Sequence, residues 1–455
     1  MNKKSVRANI ILTLEKIHGG QSLSVLLDIL LNNLADNEKA FAHELLLGTL
    51  RQWHALNRIG ESLIKDTPSD VAIICTLNMG LYELLYMNTP DYAVINETLN
   101  ALKSLDKSYG AGLINAILRK VANNKDKFLK KVNKNHSLPN WLAKQLKHDW
   151  AEYYETLGQT LRQPAPIFLR LNAKFCTLCE YSQLLNDNHI NHNVVKLGFS
   201  DKQTIQLLDN VKIPNLPKFK DGFVSVQDKN AQLSGYLLDE VLSKKLFNEL
   251  EVNNKPISIL DACCAPAGKT AHLLEIFATY DKNSSQDFIL TAMDNDSERL
   301  ARVPDNLNRL QLLNDKVKIV CNDACTFKAD TPFDVILLDA PCTATGVIRR
   351  HPDIGLLRSE NDVVQTVKLQ ENILNNLWQN LTVGGYLLYV TCSLLKDENE
   401  NQLIGFLKSH HNAKAVEFEL TLPNQIKREI GYQCLPLNND DGDGFYYALL
   451  QKNNG

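Results

Sequence analysis

The sequence predicts an α/β protein in three parts: an all-helical domain over residues 1–150, a small α+β connector over 151–225, and a larger α/β domain over 226–455. Three observations predict it. As far as Asp149 the apolar residues recur at helical spacing. From Pro164 to Phe223 short apolar runs are broken by prolines. Beyond Ser225 apolar runs of strand length alternate with amphipathic segments of helix length.

In the first part Leu46, Leu50 and Trp53 fall at i, i+4, i+7, and Ile114, Ile117, Leu118 and Val121 at i, i+3, i+4, i+7. Pro68, Pro90 and Pro139 each stand near the start of such a segment, where the missing N–H costs little. Between Arg119 and Lys147 nine basic residues face one acid, Asp126, a formal excess of +8. That stripe reads either as an RNA-facing surface or as a solvated helix face. In the connector Ile167-Phe168-Leu169-Arg170-Leu171 is the clearest strand-like run, and Pro164, Pro166 and Pro214 punctuate it. The third part carries runs at Ile257–Leu260, Phe288–Met293, Val317–Val320, Phe333–Leu338 and Tyr386–Val390. Near-continuous apolar strands separated by helices imply a parallel sheet covered on both faces.

Bulk properties bound the function. With 455 residues, 44% hydrophobic and 22% charged, the chain can build two or three packed cores. No apolar run approaches the ~18 residues that cross a bilayer, and Arg7, Asn9, Glu15 and Lys16 interrupt any export signal. The ten cysteines are therefore expected as reduced thiols in the cytoplasm. The net charge of -3 does not mark a nucleic-acid binder, since phosphate affinity comes from local clusters. No sustained heptad is present, and a monomer is expected.

Ligands of an open parallel sheet bind beyond the carboxyl ends of its strands. Four predicted strands lead into acids there: Asp261, Asp294, Asp323 and Asp339. The first continues as Cys263-Cys264-Ala265-Pro266-Ala267-Gly268-Lys269-Thr270, a turn of small residues entering a helix. A carboxylate can grip a ribose diol, and small residues admit a ligand close to the backbone, so the set fits a nucleoside cofactor. Asp residues also cap helices, but four in register favour the ligand reading. Gly268-Lys269-Thr270 falls short of a phosphate-binding loop, which needs a glycine where Cys263 stands. Cys176 and Cys179 form a CxxC without the second ligand pair that structural zinc requires, so no metal is expected.

The fourth strand runs into Asp339-Ala340-Pro341-Cys342 and the fifth into Thr391-Cys392-Ser393. A lone cysteine is most often a small buried hydrophobe; two at the ends of neighbouring strands beside a cofactor suggest covalent chemistry. Such a pair suits methylation at carbon 5 of cytosine. A thiolate adding at carbon 6 makes carbon 5 electron-rich, a carboxyl group at ring nitrogen 3 steadies the charge, and a second thiol helps remove the carbon 5 proton.

At these residues, over Gln227–Leu450, the sequence resembles the RNA m5C methyltransferases, with a Rossmann-like catalytic domain. The resemblance implies that Cys392 is the nucleophile and Cys342 aids release, with Asp339 steadying the ring. It also implies that Cys263, Cys264, Ala265, Pro266, Ala267, Gly268, Lys269, Asp294, Asp323 and Asp339 contact S-adenosylmethionine. The run Gly346 to Asp353 would hold RNA through Arg349, Arg350 and His351. Gly48-Thr49-Leu50-Arg51 and Asn115-Ala116-Ile117-Leu118-Arg119 resemble the NusB fold. The combination is similar to the bacterial members that act on 16S rRNA, and implies an unpaired or flipped cytosine as target. A tRNA or another rRNA cytosine as substrate, and a non-catalytic RNA-binding protein, are the alternatives. One departure stands out: the family has two glycines before the lysine, and this chain has Ala267-Gly268.

Overall fold

A computed structural model describes residues 4–66, 68–243, 256–280 and 288–454. They form two compact units, one of residues 1–164 with 348–360 and one of 165–347 with 361–455.

The first unit is helical: α1 (Val6–His18), α2 (Leu23–Asn32), α3 (Asp36–Arg51), α4 (Trp53–Glu61), α5 (Val71–Tyr86), α6 (Asp91–Ser104), α7 (Ala111–Ala122), α8 (Lys125–Lys134), α9 (Asn140–Asp149) and α10 (Tyr154–Thr160). Helix α5 is apolar on nearly all sides and forms the axis on which α1, α3, α4, α6 and α7 pack. Its one buried acid, Glu83, is paired with Arg7 at 2.5 Å. Pro90 and Pro139 stand at the N-caps of α6 and α9.

The repeat through Leu46, Leu50 and Trp53 does not run along one helix. Gln52 (φ -98°, ψ 4°) separates α3 from α4, and its side-chain oxygen accepts from Arg162 Nε at 2.8 Å. Arg162 also donates to the carbonyls of Val132 (3.1 Å) and Asn135 (2.7 Å), which ties the chain after α10 to the helices. This contact carries the helical unit past the expected 150 to Pro164. The segment 348–360, expected in the catalytic domain, also belongs here. Asp353 accepts from Leu23 N at 2.9 Å at the start of α2, His54 Nε2 meets Gly355 O at 3.0 Å, and Leu356 packs on the helical core. The basic stripe occupies the end of α7, α8 and α9: Phe128 and Val132 are buried, while Arg119, Lys120, Lys127, Lys130, Lys131, Lys134, Lys144 and Lys147 are exposed.

The second unit contains two sheets. The connector strands β1 (Ile167–Leu171), β2 (His192–Lys196), β3 (Gln203–Leu207) and β4 (Val224–Val226) pair antiparallel in the order β2-β3-β1-β4. A helix, Leu178–Asp187, packs on them, and Thr177 and Glu180 form its capping box.

The larger sheet contains β5 (Ile257–Ala262), β6 (Phe288–Asp294), β7 (Val317–Cys321), β8 (Phe333–Asp339), β9 (Leu381–Thr391), β10 (Ala413–Val416), β11 (Gln425–Lys427), β12 (Tyr432–Cys434) and β13 (Phe445–Lys452). Its order is β11-β12-β13-β9-β8-β5-β6-β7, with β10 also on β13. The five predicted strands are the parallel core β7-β6-β5-β8-β9. The sheet is mixed rather than wholly parallel, because β13 runs antiparallel to β9 and brings β10 and β12 with it. Chain order reverses between β5 and β8, and at such a switch point loops diverge to opposite faces and leave a crevice. The turn after β5 and the loop after β8 flank it.

Candidate active site

The turn expected to hold the cofactor is a strained connection between β5 and the helix Gly268–Tyr280. Cys263 (φ 61°) and Ala267 (φ 71°) are both left-handed, a conformation that favours glycine. Hydrogen bonds hold the turn. Cys264 N donates to Met293 O at 3.0 Å, and Ala265 N donates to Asp294 Oδ2 at 3.0 Å, while Ala267 N donates to Cys264 O at 2.6 Å. Arg299 donates to the Ala265 carbonyl. Ala267→Gly removes the methyl penalty of ~1 kcal/mol, so S-adenosylmethionine should bind up to about fivefold tighter in a calorimetric titration. Unchanged affinity would show that the strain is not coupled to binding.

Beside the turn lies a cleft lined by Cys263, Met293, Asp294, Asn322, Asp323 and Ile373, among others. Buried Asp294 ends β6, and exposed Asp323 lies two residues beyond β7 and accepts from Cys325 N at 2.9 Å. Apolar walls with two carboxylates at strand ends suit an adenosine group. Of the predicted cofactor residues, Cys263, Cys264, Ala265, Pro266, Ala267 and Gly268 form the turn, and Asp294 and Asp323 line the cleft.

Lys269 points elsewhere. Its ammonium meets Asp339 Oδ2 at 2.5 Å and lies over the Phe445 ring, 5.5 Å from the centroid. Burial pushes the lysine down, but the charge of Asp339, with that of Cys392, carries it above the ordinary lysine value. The sequence reading gave the steadying role to Asp339 alone; the structure makes it half of a partly buried ion pair.

Asp261 lies under the turn, fully buried, with Oδ2 accepting from Thr270 Oγ1 at 2.5 Å and Oδ1 without a partner. Burial raises its carboxyl to about 7. The folded value exceeds the unfolded one, so the stability this group contributes is complete below about pH 4 and is lost as pH rises through about 7. Asp261→Asn keeps the Thr270 acceptor and cannot ionise. Its melting temperature should therefore fall less than the wild type's between about pH 5 and 8; parallel curves would show that Asp261 ionises normally.

The two cysteines meet as the strand order requires. Strands β8 and β9 are parallel neighbours with Asp339 opposite Val390, and Cys342 Sγ lies 3.4 Å from Cys392 Sγ. Gly346 N donates to Cys392 O at 2.9 Å, so the two loops share backbone as well. The contact with Cys392, reinforced by burial, pushes the Cys342 thiol well above its ordinary value. The two sulfurs are thus within hydrogen-bond reach of each other. Other thiols near the turn are poor nucleophiles: burial pushes Cys263 up to about 12 and Cys264 up as well.

The predicted RNA-contact residues do not share one environment. Arg349 is buried, donates through Nη2 to Pro164 O at 2.9 Å, and receives Arg51 Nε on its own carbonyl at 3.3 Å. These bonds hold segment 348–360 to the helical unit, and burial sets Arg349 apart from the surface expected of an RNA contact. Arg350 is half-buried and His351 exposed.

Sequence reasoning missed two buried charges. Arg170 on β1 donates to Glu275 (2.7 Å from both Nε and Nη2), to Gln227 Oε1 (2.6 Å) and to Gly268 O (2.7 Å), and so holds the cofactor turn. A charge inside an apolar strand run was the available signal. Glu398 accepts from Thr343 and Ser393 between the two cysteine loops; within Asp397-Glu398-Asn399-Glu400 it looks like solvated surface.

Comparisons with known proteins agree with this architecture. Residues 4–123 match the NusB family, residues 138–211 a ferredoxin-like domain of RsmF/B-like methyltransferases, and residues 248–451 the 16S rRNA methyltransferase RsmB/F family. Ribosomal RNA small subunit methyltransferase B of Proteus mirabilis is 36% identical, covering 99% of each chain. Its counterpart from Pasteurella multocida is 35% identical, over 99% of this chain and 96% of that one. Among solved structures, the protein titled PH0851 has 20% identity and a TM-score of 0.74 over 98% of this chain and 99% of its own, which supports the fold. A NusB-like helical domain, a ferredoxin-like connector, and paired cysteines beside a strained cofactor turn occur together here with identity above one third over almost the whole length, and the chain belongs to the 16S rRNA methyltransferase RsmB/F family.

Proposed function

We propose that this protein transfers a methyl group from S-adenosylmethionine to carbon 5 of one cytosine in 16S rRNA through a covalent Cys392 adduct. The observation that carries the reading is the 3.4 Å contact between Cys342 and Cys392 at the strand edge that also bears the cofactor turn. The relatives' names specify ribosomal RNA of the small subunit, which favours 16S rRNA over tRNA.

S-adenosylmethionine supplies the electrophilic methyl group; the chain does the rest. The Cys392 thiolate forms an S–C6 bond, and the displaced ring electrons make carbon 5 nucleophilic. The Lys269–Asp339 pair shares a proton with ring nitrogen 3 and offsets the charge that builds there. Once carbon 5 carries the methyl group, its proton passes to a water that Cys342 positions, and from there to solvent. The C–H electrons restore the C5–C6 double bond, the S–C6 bond breaks, and Cys392 leaves as thiolate. In function the helical part, 1–150, holds RNA through its exposed lysines, with Arg350 and His351 of segment 348–360 also on phosphates, 151–225 connects, and the rest of 226–455 performs the chemistry.

The test is incubation with methyl-labelled S-adenosylmethionine and unmodified 16S rRNA or tRNA. Label in 5-methylcytosine at one 16S position is expected. Labelling of tRNA alone, or label at a ring nitrogen, would overturn the reading.

A further inference from the structure

Glu398 is fully buried, and its carboxylate serves both loops that carry the cysteines. Oε1 accepts from Thr343 N at 2.7 Å, directly after Cys342. Oε2 accepts from Thr343 Oγ1 at 2.7 Å and from the hydroxyl of Ser393, directly after Cys392. Beside this clamp Thr345 Oγ1 meets Ser393 Oγ at 3.2 Å and accepts from Leu394 N at 3.0 Å. The backbone of the same residue is held as well, since Tyr389 donates its hydroxyl to the Glu398 carbonyl O at 2.8 Å.

We propose that Glu398 is a positioning residue for the two-thiol reaction, its buried carboxylate fastening the Cys342 loop to the Cys392 loop and so setting the separation at which the sulfurs act together. The inference rests on the two-cysteine function proposed above. A buried ion is costly, and a neutral side chain could have filled the same space. A carboxylate differs from an amide in being acceptor only, and here it takes two neighbouring hydroxyls and an amide at once. An amide in its place presents N–H groups to Thr343 Oγ1 and Ser393 Oγ, and both hydroxyls must turn around to accept. The charge also matters: it adds to the Cys392 contact and the burial that raise the Cys342 thiol. Release of the product depends on Cys342 holding a water at the carbon 5 proton while Cys392 is bonded to carbon 6. A shift of about 1 Å between the loops therefore affects release first, by about 10- to 100-fold.

The test uses the full-length protein with 16S rRNA. Glu398→Gln should still form the covalent RNA adduct within a few-fold of the wild-type rate. It should turn over about 10- to 100-fold more slowly and accumulate adduct on a denaturing gel, with the KM for S-adenosylmethionine unchanged. The double variant Glu398→Gln with Cys342→Ala should release product no more slowly than Cys342→Ala alone, the non-additivity expected of groups acting through one step. Wild-type turnover, multiplicative effects in the double variant, or loss of adduct formation with an unchanged melting temperature would each overturn the proposal. Should Glu398→Gln fail to fold, Thr343→Val, which removes one hydroxyl bond and keeps the amide bond, decides: adduct accumulation supports the clamp and wild-type turnover contradicts it. A wild-type control that labels no cytosine would overturn the function rather than the role of Glu398.

Discussion

Cys392→Ala should show no turnover and no covalent RNA adduct, a loss of more than about 10³-fold in rate. Cys342→Ala, in contrast, should form the adduct and fail to release it. The contrast follows from the geometry of one sulfur pair. The contact with Cys392 and burial raise the Cys342 thiol, which disfavours its thiolate as the attacking group. With Lys269 also interacting with Cys392, removal of that sulfur eliminates the bond to carbon 6 and leaves carbon 5 too electron-poor to take a methyl group. Removal of Cys342 leaves addition and transfer intact and blocks only departure of the carbon 5 proton. A denaturing gel of each variant with labelled RNA distinguishes them. An adduct in Cys392→Ala and none in Cys342→Ala would reverse the two roles.

Arg170→Ala should be the most damaging substitution away from the cysteines. It leaves Glu275, 1% exposed, as a buried carboxylate without its partner, a loss of about 3–5 kcal/mol. The same change frees Gly268 O and Gln227, so the cofactor turn loses its anchor to β1. A lower denaturant midpoint and weaker binding of S-adenosylmethionine are both expected. Arg170→Lys should recover little, since one ammonium cannot reproduce a guanidinium serving five oxygens. Replacing Arg170 and Glu275 together by methionine should restore much of the midpoint while leaving cofactor binding weak. An unchanged midpoint in Arg170→Ala would contradict the assigned role.

The catalytic core was legible because β5, β6, β8 and β9 are largely buried on both faces and read as apolar runs ending near an acid or a cysteine. Parallel neighbours whose carboxyl ends coincide then had to bring Cys342 and Cys392 together. The antiparallel edge was not legible. Strands β10, β11 and β12 have four, three and three residues, too short for any period to register, and only pairing defines them, of β10 and β12 with β13 and of β11 with β12. The membership of segment 348–360 in the helical unit was hidden for a different reason. Asp353 finds its partner 330 residues away at Leu23, and nothing local to Arg349-Arg350-His351 distinguishes a buried arginine from an RNA contact. Lys269 and Asp339 were each singled out, but their pairing across 70 residues turned a cofactor contact and a lone acid into one unit. The departure at Ala267 was visible at once, and its left-handed backbone gives it physical meaning.

The most direct test of the account is to trap the intermediate on the intact protein. A 16S rRNA carrying 5-fluorocytosine can accept the thiolate at carbon 6 and the methyl group at carbon 5, but it offers no proton for removal, so the adduct cannot break down by the normal route. After incubation with S-adenosylmethionine, digestion and mass spectrometry should find the methylated fluorocytosine on the peptide containing Cys392 and on no other cysteine. A nucleotide attached to Cys342, or complete absence of a trapped adduct while ordinary cytosine in the same RNA is methylated, would contradict it.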